Sequence, residues 1–173
     1  MSQFFPLIFV LLWSSAFITT LPIVLNSDPF SALAFRFFFV AVCFFIYSIV
    51  KKIKIKVNFS NLFNSFSTGI LFHGFYLGGV FYAIFVGLPT SIVALIVTLQ
   101  PILTNILAGY FLNEEVNIYQ WIGVVLGFTG AVMVIGFDIG STLPMNGLIA
   151  AVIALIAITT STIWQKKISN DIS

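Results

Sequence analysis

Of 173 residues, 60% are hydrophobic and only 7% charged, whereas a soluble domain carries about 25% charged residues to cover its water-facing surface. With a mean hydropathy of +1.15, the chain reads as an all-α integral membrane protein. Its net charge of +2 comes from clustered residues rather than a basic stripe, which argues against a nucleic-acid surface. One cysteine and one histidine, far apart, supply neither a disulfide framework nor a self-contained metal site, so no cofactor is expected.

About 20 mainly apolar residues span a bilayer as helix. Six segments qualify, at 4–25, 29–50, 66–87, 90–112, 118–137 and 145–164. The first follows "MSQFF", which has no basic n-region, and no small-x-small cleavage site comes after it; it reads as a retained helix rather than a signal peptide. On it Ser15, Thr19 and Pro22 form a narrow polar stripe with Trp13 to one side. That stripe suits a helix contact as well as it suits a cavity lining. In the second segment Arg36 lies about seven residues inside the outer end, counted from 29. Its long side chain can snorkel to the interface, or it can meet an anionic or zwitterionic solute.

The third segment has two faces. Gly69, His73, Tyr76, Val80, Ala83 and Gly87 share one, while Gly74 and Gly78 make a G-x-x-x-G that reads as helix packing. An imidazole at this depth must be paired or wet, so His73 either bonds a neighbouring helix or marks a pathway, with Tyr76 one turn away. In the fourth, Ser91, Ala94, Thr98, Pro101, Asn105, Ala108 and Gly109 fall in one stripe. A mid-helix proline frees a carbonyl, and small or polar neighbours can satisfy it, line a solute path, or make a close helix contact.

The turn "NEEVN" at 113–117 follows. Asn113 suits a left-handed C-cap, and Asn117 can N-cap the fifth segment with Gln120 as its capping-box partner. Glu114 and Glu115 precede that N-terminus, where the helix dipole favours negative charge. Gly123, Gly127 and Gly130 then form a small-residue seam suited to packing, or to a dimer of like-oriented copies.

Lys51, Lys52, Lys54 and Lys56 lie between the second and third segments, and Lys166 and Lys167 follow the sixth. With both termini cytoplasmic all of them fall inside, and the outer loops hold only Asp28 and Asp138. A multi-pass protein of the cell (inner) membrane in one orientation is expected. No Asp or Glu lies inside any of the six runs, so the nearest protonatable group for ion coupling is His73. No H-E-x-x-H, paired intramembrane aspartates or G-x-S-x-G points to an enzyme.

"PILTNILAGYFLNEEVNIYQWIGVVLGFTGAVMVI" resembles the end of an EamA repeat of the drug/metabolite transporter superfamily, with Pro101, Leu112, Glu114, Trp121, Gly123 and Gly130 at its marker positions. Asn113 and Ala131 stand where the family has glycine and valine. "LLWSSAFI", "ALAFRFFFVA" and "HGFYLGGVFYAIFVGLPTSIVALIVTLQP" are similar to its first four helices. The resemblance implies two inverted five-helix repeats with a solute site at their interface. Residues 1–137 would be one repeat, and 138–173 a linker and the first helix of an incomplete second. The function it implies is a permease or exporter of small metabolites or drugs, incomplete here. The competing reading is a non-transporting membrane protein, either a gene remnant or a helper packed on a larger partner. Expected partners are the lipid bilayer, a small solute, and a like-oriented copy or a second half-transporter. Candidate substrate-path residues are Trp13, Ser15, Thr19, Arg36, His73, Tyr76, Thr98, Pro101 and Asn105.

Overall fold

A computed structural model describes residues 5–53, 58–112, 117–135 and 143–172. Among these the chain forms six helices: α1 (Phe5–Asn26), α2 (Pro29–Val50), α3 (Phe59–Phe85), α4 (Thr90–Thr98 and Gln100–Leu112), α5 (Ile118–Ile135) and α6 (Met145–Ile172). Five of them are long and apolar enough to cross a membrane. In α5 the apolar stretch Ile118–Gly130 is shorter, but its 18 residues still rise about 27 Å at 1.5 Å each.

Local chemistry sets most of the ends. Asp28 caps α2: its Oδ2 accepts the Ser31 N–H at 2.8 Å, which holds the carboxyl below its ordinary pKa, and Pro29 sits at the first helical position. Asn117 and Gln120 form the expected reciprocal box at α5, with Tyr119 N–H donating to Asn117 Oδ1 at 3.1 Å and Asn117 N–H to Gln120 Oε1 at 3.0 Å. At the end of α3, Gly87 takes a φ of +93°. Leu88 N–H then reaches Ala83 O and Gly87 N–H reaches Ile84 O, both at 3.0 Å, satisfying two terminal carbonyls.

Three boundaries differ from the sequence reading. α3 begins at Phe59 rather than 66, because Asn58 caps it by accepting the Ser60 N–H. α6 runs on to Ile172 rather than ending at 164, since nothing in "QKKISND" breaks a helix. α4 breaks at Leu99, whose N–H turns to Ile96 O at 3.1 Å; Pro101 has no N–H for the carbonyl four residues back and its ring crowds that carbonyl. Asn113, Glu114, Glu115, Lys54, Lys56 and Asp138 lie outside the described residues.

α6 occupies the middle, packed along α3 and both halves of α4. Apolar surface gives helices little drive to associate in lipid, so close approach depends on small residues and on hydrogen bonds. α6 supplies both. Ala151, Ala154, Ala157, Ile158, Thr159 and Ser161 are buried on it, facing a core that includes Tyr76, Val80 and Ala83 of α3 and Val93 and Val97 of α4. Ser161 Oγ donates to Thr68 O at 3.1 Å, and Gln100 of α4 donates to Thr162 Oγ1 at 3.2 Å.

The tightest glycine contact lies beside the expected pair. A Cβ on Gly79 would stand 2.9 Å from Ala150 O and 3.0 Å from Ala154 Cβ, whereas one on Gly74 would meet only its own helix's Ile70, at 3.9 Å. Gly78 faces Phe30 of α2 instead, at 3.6 Å. On α5 a Cβ on Gly123, Gly127 or Gly130 would meet nothing within 4 Å, so among the described residues this seam packs against no other helix of the chain and its face is open.

Candidate functional site

Over Ile70–Leu77 the backbone of α3 widens into a π-helix. Such segments are rare and frequent at functional sites. His73 and Tyr76 lie within it, and both line a cavity of about 250 Å³ between α1, α2 and α3. α1 adds Phe9, Trp13, Ala16, Phe17 and Thr20, and α2 adds Arg36 and Phe37. The structure therefore brings Trp13, Arg36, His73 and Tyr76 together.

Ser15, Thr19, Thr98, Pro101 and Asn105 are elsewhere. Ser15 and Thr19 are exposed on α1 with hydroxyls turned back onto their own helix, Ser15 donating to Leu12 O at 2.8 Å and Thr19 to Ser15 O at 3.1 Å. Thr20, one position on and 4% exposed, is the hydroxyl residue that lines the cavity. On α4, Thr98 bonds Ala94 O at 2.7 Å, Asn105 is half-buried and Pro101 is exposed.

Sequence reasoning missed Phe72. Its ring meets Trp13 at 6.5 Å, His73 at 5.1 Å and Tyr76 at 5.4 Å, edge-on in each case, while Phe37 lies 4.8 Å from His73 on another side. These geometries are favourable for aromatic pairs. In a chain with 21 phenylalanines no single one stands out, and the available signal was its spacing, one residue before His73 and four before Tyr76.

No described residue lining the cavity carries a carboxylate, and Arg36 is its one cation. An aromatic wall with one guanidinium, one imidazole and a phenol can hold a small molecule that has an apolar body and an acceptor or anionic end.

Six helices, five of them long and apolar enough to cross a membrane, define a multi-pass membrane protein. The chain belongs to the EamA-like transporter family, whose model matches residues 2–136. It is also similar to "Uncharacterized transporter YvbV" of Bacillus subtilis (strain 168), 27% identical over 97 residues. That alignment covers 56% of this chain and 30% of the relative, so less than a third of the relative's length is represented. No solved structure matches the chain. The chain is thus an EamA-type membrane protein of the drug/metabolite transporter kind, spanning less than a third of that relative.

Proposed function

We propose that the α1–α2–α3 cavity is a solute-binding site for a small metabolite or drug with an anionic or zwitterionic end. The convergence of Trp13, Arg36, His73 and Tyr76 on one cavity carries this reading. Arg36 holds the charged end, Trp13 and Phe72 stack on the apolar body, and His73 and Tyr76 orient it by hydrogen bonds. Residues 138–173 serve as the linker and first helix of a second repeat facing the first across the membrane, a reading supported by the family match ending at 136. The open glycine face of α5 suits pairing of like-oriented copies.

The test is direct binding. The chain, with Trp121→Phe and Trp164→Phe so that Trp13 is the sole indole, is placed in lipid nanodiscs and titrated with amino acids and small carboxylates. Saturable quenching by at least one of them is expected. Arg36→Gln should weaken it tenfold or more, since unpairing a desolvated charged contact costs about 2 kcal/mol or more. A panel without saturable quenching, or quenching untouched by Arg36→Gln, overturns the assignment.

Both termini are proposed to be cytoplasmic in the cell membrane, because Lys51, Lys52, Lys166 and Lys167 gather at one end of the bundle. In a Cys43→Ser background, Ile55→Cys should be protected from an external thiol reagent and Gly140→Cys should react. The reverse pattern would invert the topology.

A further inference from the structure

At the opposite end from Asp28 a second cavity, of about 510 Å³, opens between α3, α4 and α6. It shares no residue with the solute cavity. Its lining is Asn64, Leu107, Thr160, Ile163, Trp164, Lys167 and Ile168. We propose that it binds the phosphate headgroup of an anionic phospholipid.

Depth comes first. Asn64 is five residues into α3, and Trp164 and Lys167 stand where the apolar run of α6 gives way to "QKK". This is the level at which hydrocarbon meets headgroups, where indole rings and snorkelling lysines concentrate. The polar groups there are mostly donors. Lys167 is an exposed ammonium, and among the described residues neither the Asn64 amide nor the Trp164 indole N–H has a hydrogen-bond partner. Thr160 already donates to Ile156 O at 2.8 Å. No described lining residue is acidic. Such a set of donors around one cation selects an anion.

The other half of the lining selects an amphiphile. Leu107, Ile163 and Ile168 form an apolar wall continuous with the polar groups. A free anion has no use for it, whereas a glycerophospholipid covers it with its glycerol and upper acyl chain. A choline headgroup would bring its own cation next to Lys167 and cancel the attraction.

Native mass spectrometry of the full 173-residue chain can test this by titration with phosphatidylglycerol, phosphatidylcholine or inorganic phosphate. One phosphatidylglycerol should be retained about fivefold or more in preference to phosphatidylcholine, the attraction expected of one well-placed lysine. Lys167→Gln together with Trp164→Phe should abolish the preference, and Lys167→Arg should keep it. Lys51→Gln, at the same end but outside the cavity, should leave it unchanged. Equal retention of the two lipids overturns the proposal, as does an equal loss in Lys51→Gln, which would mean diffuse surface charge. Displacement of the lipid by inorganic phosphate also overturns it, because the apolar wall would then be idle. The variants' melting temperatures in detergent separate any folding defect from lost binding, and Lys167→Arg, which keeps the charge, decides if Lys167→Gln proves unstable.

Discussion

Gly79→Leu should remove most of the folded protein, costing about 3 kcal/mol, while Gly127→Leu should leave the fold of the single chain intact. At Gly79 the first side-chain carbon already falls 2.9 Å from a backbone oxygen and 3.0 Å from a methyl group of α6. Neither can rotate away, so α6 has to move off α3, and overpacking of this kind costs about 1–3 kcal/mol, with further loss as the Ser161–Thr68 and Gln100–Thr162 bonds are pulled apart. Gly127 has open space around it, and a leucine there also favours helix. Size-exclusion chromatography and thermal melting in mild detergent compare the two. Equal behaviour would mean that α6 is not seated against α3 as described.

Phe72→Ala should be the most damaging single change at the cavity. It removes three ring contacts, to Trp13, His73 and Tyr76, in one step. Each such pair is worth about 0.5–1.5 kcal/mol, so a loss of roughly 2–3 kcal/mol is expected. Trp13 and Tyr76 also lose the ring they both pack against, so solute quenching of Trp13 should fall about tenfold, as about 1.4 kcal/mol of lost preorganisation would give. Phe72→Leu keeps most of the volume and none of the ring edge, and should lose only about 1 kcal/mol. A Phe72→Ala protein that melts and quenches like the parent would remove Phe72 from the centre of the site.

The sequence by itself determined much of what depends on near neighbours along the chain, though not the Asn58 cap that starts α3 early. Hydropathy over stretches of helix length found the spans, because a bilayer admits little other than helices of that length. Caps were legible for the same reason: the Asn117–Gln120 pair acts across three residues and needs no partner from elsewhere. The family markers, spread from Pro101 to Gly130, were readable as a linear pattern.

Only the tertiary structure decided which faces meet. In lipid nearly every face of a helix is apolar, so the polar-apolar period that locates a soluble core is nearly silent, and steric fit between small residues decides instead. That fit chose Gly79 over Gly74 and Gly78. The π-helical stretch just before it explains why: a π turn takes more residues than an α turn, so positions projected at the α-helical period drift by about one residue over Ile70–Leu77. On α1 the polar stripe was likewise found but not its facing, and the cavity took Thr20 rather than Thr19. The choice of α2 over α4 as the third wall was beyond any local signal. α6 lies against both halves of α4, giving Gln100 a partner in Thr162 and leaving Arg36 to face His73 across the space between α1, α2 and α3.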